Sequence, residues 1–233
     1  MSLLRPLNLR LDVRGEIVAL LERHTGREAV VYDVGCGSKP FTPDLERLGC
    51  TYVGVDLADG FYGAQHADVI GSAYEVPVED GIADAVISCQ VLEHLQQPQA
   101  ALREAHRILR RDGMMYLSSP FLYPIHAAPE DYGRYTRYFI EKVAADGGFE
   151  LVERRALSGY WYTMGIAAGL YLQMFDRGPL NRIGLMRVLV AAIQWTCLAL
   201  HRLEGRVLRW RRKNIDDLRE SWTVNYVYAL RKI

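Results

Sequence analysis

The 233-residue chain has no net charge to speak of: 28 Lys and Arg balance 28 Asp and Glu. That removes the broad basic field that drives nucleic-acid binding, and the basic residues are not interleaved with aromatics along a strand. No nucleic-acid partner is expected. Cysteine is scarce and scattered, at Cys36, Cys50, Cys89 and Cys197. No CxxC and no Cys/His ligand spacing exists, so no metal is expected, and the pattern suits a reducing cytoplasm. MSLLRPLNLRLDVRGE lacks a long apolar run and does not read as a signal peptide. Internal repeats and low-complexity tracts are absent. What remains is a chain that is 50% hydrophobic, long enough for one cored domain, 1–233, with an appendage.

The most informative stretch is VVYDVGCGSKPF, residues 30–41. An apolar run ends in Asp33 and then in Gly35 and Gly37. A second apolar run, Tyr52-Val53-Gly54-Val55, ends in Asp56. Strand, tight loop, helix and a second strand tipped by a carboxylate is how a doubly wound α/β fold holds an adenosine-type cofactor. A dinucleotide fingerprint would place a third glycine where Pro40 stands. Asp33 would also repel a pyrophosphate, whereas it suits the sulfonium and ammonium of S-adenosylmethionine. An NAD oxidoreductase is the disfavoured reading.

DVGCG followed by VGVD resembles the first two motifs of the class I S-adenosylmethionine-dependent methyltransferases, of the type 11-like kind. ADAVISCQVLEHL, residues 83–95, is similar to that family's fourth strand and following loop. ALREAHRILRRDGMMYLSSP, residues 101–120, is similar to the next helix, turn and fifth strand. The resemblance covers roughly residues 25–156. It implies a doubly wound, seven-stranded, mostly parallel sheet with S-adenosylmethionine as cofactor. It also implies cofactor contacts at Asp33, Gly35, Cys36, Gly37, Asp56, Leu57, Ser72, Ala73 and Gln90. Asp56 should accept both ribose hydroxyls, because a carboxylate offers two oxygens to a vicinal diol. In many family members an acid reads the adenine; here the matching position is Ser72, with Asp68 as the alternative. Lys39 replaces the family's last glycine and either pairs with the cofactor carboxylate or is solvated.

The pattern predicts a helix over 8–24, packed on the sheet edge and closed near Gly26. Strands are predicted at 29–34, 51–56, 67–70, 83–89, 114–119 and 149–155, and helices at 43–48, 98–110 and 136–147, the last capped by Thr136. TVNYVYALRKI, 223–233, alternates and is the candidate seventh strand. Residues 157–221 are then a helical insertion or cap before the last strand. Residues 156–175 and 188–200 contain no charge, and a tail with Arg202, Arg206, Arg209, Arg211, Arg212 and Lys213 follows. The first run is interrupted by Gly159, Gly165 and Gly169, and the second is shorter than the ~20 residues of a spanning helix. A lid over the acceptor, a dimer surface, or contact with an anionic membrane surface through 160–213 are the readings. The location is the cytoplasm, with the inner membrane face as a peripheral site. The oligomeric state is open.

After the fifth strand comes PFLYPIHAAPEDYGRYTRY, residues 120–138, at the carboxyl edge of the sheet. It resembles an HxxPxDxxRYT loop of a methyltransferase subgroup linked to small-molecule or glycan modification, matched by His126, Pro129, Asp131, Arg134, Tyr135 and Thr136. His126 is the natural proton acceptor for an acceptor hydroxyl or ammonium. Asp131 would orient it, and Arg134 or Tyr135 would bind the acceptor; a structural lock is the competing reading. His94, in LEHL, faces the cleft in many relatives. His94, His126 and Asp131 make a weak metal set. Methyl transfer to a small-molecule, glycan- or lipid-linked acceptor is expected, the alternative being a non-catalytic S-adenosylmethionine-binding partner subunit.

Overall fold

The structure is a computed structural model that describes residues 11–60, 64–173, 185–210 and 215–233. Its sheet has seven strands: β1 (Val30–Val34), β2 (Thr51–Asp56), β3 (Val69–Ile70), β4 (Ala83–Cys89), β5 (Leu109–Pro120), β6 (Phe149–Ala156) and β7 (Asn225–Lys232). Their spatial order is β3-β2-β1-β4-β5-β7-β6. β1 pairs in parallel with both β2 and β4, β2 with β3, and β4 with β5. Val31, Val86, Ile87, Tyr116 and Leu117 are fully buried, as expected of strands covered on both faces. Removing each such side chain from water contributes roughly 1.5–3 kcal/mol.

The helices fall near their expected places, with instructive shifts. α1 (Val13–His24) starts late, after Asp12, whose Oδ1 accepts from the Gly15 N–H at 2.8 Å. The expected start at 8 lies outside the described residues. α1 covers β5, where Ile17, Leu20 and Leu21 are buried and Thr25 Oγ1 lies 2.6 Å from Tyr116 Oη, and it reaches the edge strand β6 through Arg23 and His24 on Glu153. α2 (Thr42–Arg47) and α3 (Pro98–Ile108) both begin at a proline turn. α4 (Arg137–Asp146) is capped by Thr136 Oγ1, which accepts from the Phe139 N–H at 3.3 Å.

β5 departs most from expectation. Strand begins at Leu109, not 114, and the register against β4 jumps from Ala83↔Leu109 to Ala85↔Met114. The residues looped out hold Asp112 at φ 61°, and Gly113, where a Cβ would lie 2.9 Å from the Arg110 carbonyl oxygen. Asp84 holds this bulge, pairing with Arg110 at 2.6 Å and accepting from the Val30 N–H at 2.7 Å. A glycine after arginines reads as a helix stop; the long-range partner Asp84 turns it into a bulge.

Residues divide into two compact units. One comprises Asp12–Phe121, Ile125–Arg155 and Tyr226–Ile233, and carries the sheet. The other comprises, among the described residues, Leu122–Pro124 and Ala156–Asn225. It is helical: α5 (Tyr160–Gln173), α6 (Leu185–Trp210) and α7 (Ile215–Ser221). α5 packs on α6 closely enough that a Cβ at Gly169 would lie 2.6 Å from Gln194 Nε2. A buried hydroxyl cluster ties its ends. Ser158 Oγ lies 3.0 Å from Thr163 Oγ1 and 3.2 Å from Thr223 Oγ1, and Thr163 donates to the Trp222 carbonyl at 2.8 Å. Each of these polar atoms, stranded by loss of its partner, would cost about 1–3 kcal/mol. Among the described residues no helix is long and apolar enough to cross a membrane. α6 nevertheless exposes Val188, Leu189, Trp195, Leu203 and Val207, with Arg202 and Arg206 toward its end.

Candidate active site

The sheet order reverses at β1, between β2 and β4, and at such a switch point the loops leaving the strand tips diverge into a crevice. Gly35 leaves β1 at φ +83°, and a Cβ there would lie 2.4 Å from Val91 Cγ2. Its side-chain-free carbon is therefore required by the loop after β4. The Gly35 and Cys36 N–H groups donate to the Val55 carbonyl at 2.8 and 3.1 Å. Gly37 N–H donates to Asp56 Oδ2 and Leu57 N–H to Asp56 Oδ1, both at 2.8 Å. Each Asp56 oxygen thus carries one backbone donor and keeps a further lone pair.

Asp33 is buried to 1% exposure. Tyr52 donates to its Oδ2 at 2.6 Å, while Oδ1 has no hydrogen-bond partner among the described residues. Burial pushes its carboxyl up to about 7, against the Tyr52 hydrogen bond, and the neighbouring Asp56 adds to the rise. Cys36 is buried beside these acids, its thiol pushed up to about 12 by burial first, so it is no nucleophile.

Other expected cofactor positions are placed as follows. Lys39, at φ 53°, bonds Asp68 Oδ2 at 2.5 Å and lies over the Tyr52 ring. Its ammonium is therefore engaged by Asp68 and the Tyr52 ring. Asp68 Oδ2 also accepts from the Gly54 N–H at 2.7 Å, which ties it to β2. Ser72 exchanges backbone hydrogen bonds with Glu75, and its Oγ accepts from the Tyr74 N–H at 3.1 Å. Ala73 sits inside that turn, and Leu57 is half exposed. Gln90 tips β4 at φ 57°, its Nε2 donating to Ser118 Oγ at 2.9 Å.

On the acceptor side the 3₁₀ turn Leu92–His94 and the loop before α4 are one structure. The Glu93 carbonyl accepts from the N–H groups of Tyr132 and Gly133 at 2.8 and 3.1 Å. Asp131 receives Arg134 on both oxygens, at 2.6 and 2.7 Å, and the His126 N–H at 2.8 Å. The Arg134 hydrogen bonds hold its carboxyl far below the usual range. Arg134 therefore braces the loop, and Tyr135 stacks on Phe139 at 4.8 Å with its ring over Gly133.

The loop brings His126 to His94, their rings edge to face at 5.1 Å. Beneath both lies Glu93, fully buried, with neither carboxylate oxygen hydrogen-bonded among the described residues. Its Oε1 is 3.9 Å from His126 Nε2 and 4.0 Å from His94 Nε2. Burial pushes Glu93 up to about 7. His94 Nδ1 lies 2.5 Å from the Glu130 carbonyl, which can only accept, so Nδ1 donates and the lone pair sits on Nε2. The weak set of His94, His126 and Asp131 is corrected here: Arg134 occupies Asp131, and the acid meeting the histidines is Glu93. Sequence reasoning passed over Glu93. The available signal was an acid held between Leu92 and Leu95.

The match to a methyltransferase-domain family model spans residues 32–117. That stretch resembles a class I methyltransferase domain. Over 102 residues that domain region is 32% identical to a ubiquinone biosynthesis O-methyltransferase from Xanthomonas oryzae pv. oryzae, covering 39% of this chain and 43% of that protein. Over 118 residues it is 31% identical to a malonyl-[acyl-carrier protein] O-methyltransferase from Yersinia pestis, covering 48% and 43%. The chain thus spans about half the length of such relatives, 52% for the protein from Xanthomonas axonopodis pv. citri. In fold it is similar to the [4+2]-cyclase SpnF, with TM-score 0.58, 18% identity and 93% and 80% of the two chains covered. It is also similar to a Burkholderia thailandensis 1,6-didemethyltoxoflavin-N1-methyltransferase with bound S-adenosylhomocysteine, with TM-score 0.57, 16% identity and coverage of 95% and 78%.

Buried Glu93 carries a pH signature. Its folded pKa, about 7, lies above the ordinary 4.5, so the folded state holds this proton more tightly than the unfolded chain. The cost of ionising it is absent below 4.5 and fully present above 7. Glu93→Gln removes that cost. Urea denaturation of both proteins between pH 5 and pH 8 should show the variant gaining on wild type as pH rises. A pH-independent difference would show that the carboxyl is not destabilised by burial.

Proposed function

We propose that this chain transfers the methyl group of S-adenosylmethionine to an oxygen of a small-molecule, glycan- or lipid-linked acceptor. The observation that carries the reading is the acid–glycine loop at the switch point: Asp33 with a buried oxygen unpartnered among the described residues, beside Asp56 with lone pairs to spare. Two acids, with Lys39 of the same loop engaged by Asp68, suit a ligand bearing positive charge and a ribose diol, and oppose a pyrophosphate. When bound, the cofactor supplies a methyl group on a positively charged sulfur. Asp56 holds the ribose; Asp33, ionised by a nearby cation, fixes the charged end; Ser72 and the Ala73 backbone meet the adenine; Gln90, Gly35, Gly37, Cys36 and Leu57 line the wall. The acceptor oxygen forms the new bond to carbon as the carbon–sulfur bond breaks, and its proton leaves to the histidine pair or to solvent. His126 and His94 are the groups for that work, with Asp131 and Arg134 fixing the loop that presents His126. The oxygen preference is supported by the names of the relatives above.

Calorimetry should show binding of S-adenosylhomocysteine and little or none of NAD. Asp56→Ala should weaken the former by about 1.5–3 kcal/mol for each charge-assisted hydrogen bond lost, roughly tenfold or more. Equal or tighter NAD binding would overturn the cofactor, and an unchanged affinity in the variant would remove Asp56 from the ribose.

For the acceptor side, His126→Ala should lose about 10²–10⁴-fold in turnover while S-adenosylhomocysteine affinity stays nearly intact. The assay is methyl transfer from labelled cofactor to a panel of phenolic, carboxylate and sugar acceptors. Full activity would leave this histidine as loop structure only.

The exposed apolar stripe of α6, ending among arginines, supports contact with an anionic membrane surface where a lipid-linked acceptor would sit. Co-flotation with anionic vesicles at low salt, reduced by Trp195→Ser with Leu203→Ser, is the expected outcome. No co-flotation would leave the helical unit as a lid or partner surface.

A further inference from the structure

We propose that Glu93, His94 and His126 form a binding site for a divalent transition-metal cation. The inference deepens the acceptor side of the proposed reaction but stands on geometry that needs neither cofactor nor acceptor. One ligating atom from each residue lies within 4.8 Å of the others. Around a shared ion at about 2.0–2.2 Å, such atoms sit roughly 3–3.5 Å apart, so the site closes by small rotations of two partly exposed imidazoles.

Three features distinguish this set from a chance cluster. Glu93 is fully buried, yet neither of its oxygens is hydrogen-bonded among the described residues, and Oε1 points at both imidazole Nε2 atoms. A carboxylate in that condition costs free energy unless a cation or proton answers it. His94 already has the orientation of a ligand: its Nδ1 donates to the Glu130 carbonyl, leaving the Nε2 lone pair toward Glu93. Arg134 and Asp131 both approach His126 Nδ1. Arg134 Nη2 lies 3.0 Å away and can only donate; Asp131 Oδ2 lies 3.6 Å away and can only accept. A cation at His126 Nε2 requires the ring proton on Nδ1. Ion binding therefore exchanges the Arg134 contact for one to Asp131, the carboxylate–histidine relation common behind metal ligands. Asp131 is here a positioning residue.

Two imidazoles and one carboxylate suit manganese, iron(II), cobalt(II) or zinc better than magnesium, which prefers an all-oxygen shell. Three protein ligands leave positions open. An acceptor hydroxyl entering one of them would be held beside the methyl group and would lose its proton more easily, the proton leaving to solvent.

The test uses the full chain, freed of metal by chelation, titrated with cobalt(II) without cofactor. Visible absorption reports ligand geometry, and calorimetry reports stoichiometry. Saturable binding of one ion per chain is expected, with a d–d spectrum that changes in Asp131→Asn. Glu93→Gln and His94→Gln should each weaken binding by at least ~10-fold. Because Glu93 is buried, its variant is checked for folding by circular dichroism; His94, partly exposed, gives a second variant that does not depend on that check. The proposal is overturned if the wild type takes up no cobalt(II), manganese(II) or zinc(II) at millimolar concentration, or if His94→Gln binds as well as wild type. Loss of methyl transfer with ion binding intact would sink the proposed reaction and leave the site standing.

Discussion

Everything at the candidate site depends on one close approach, between the α-carbon of Gly35 and the side chain of Val91. A Cβ at Gly35 would lie 2.4 Å from Val91 Cγ2. The loop after β1 and the loop after β4 therefore interlock at the switch point, and the interlock propagates. Val91 leads into the turn Leu92–His94; the Glu93 carbonyl of that turn holds Tyr132 and Gly133; those residues fix Asp131 and Arg134; and Asp131 takes the His126 N–H. One glycine thus couples the acid-tipped strands to the histidine pair. Any side chain at position 35 would force Val91 aside and disturb both.

The same chemical group takes opposite states along this chain of contacts. Asp33 and Glu93 are buried with too few partners and are pushed up to about 7. Asp131, nearly as buried, is held well below the usual range because Arg134 occupies both of its oxygens. Environment alone separates two carboxyls poised to answer a cation from one committed to holding a loop. The poised pair flank the crevice: one at the tip of β1, the other after β4. A fold that merely needed these acids for stability would have paired them, since an unpaired buried carboxyl is destabilising.

Much of this was legible in the sequence because parallel strands and their loops are written locally. DVGCG, VGVD and ADAVISC place β1, β2 and β4 within a residue of their observed bounds, and Thr136 caps α4 as its position suggests. What was not legible depends on partners distant in the chain. The early start of β5 needs Asp84 to hold Arg110; the fate of Lys39 needs Asp68, 29 residues on; the cover of α1 over β5 needs Thr25 to meet Tyr116. Glu93 was overlooked for the same reason. Its neighbours Leu92 and Leu95 say that the turn is buried, but only the return of His126, in a loop beyond β5, reveals what the acid faces.

The fold similarity to a protein named a [4+2]-cyclase sharpens where chemistry must be sought. A doubly wound sheet with an acid–glycine loop positions an adenosine-type ligand; it does not choose the reaction. That choice falls to the loops after β4 and β5, whose sequences are free to vary while the strand register stays fixed. In this chain those loops converge on two imidazoles over a buried carboxylate, a constellation with no structural duty in the sheet. Both histidines also brace the loop, His94 through the Glu130 carbonyl and His126 through Asp131, so what sets them apart is the buried Glu93 facing both Nε2 atoms.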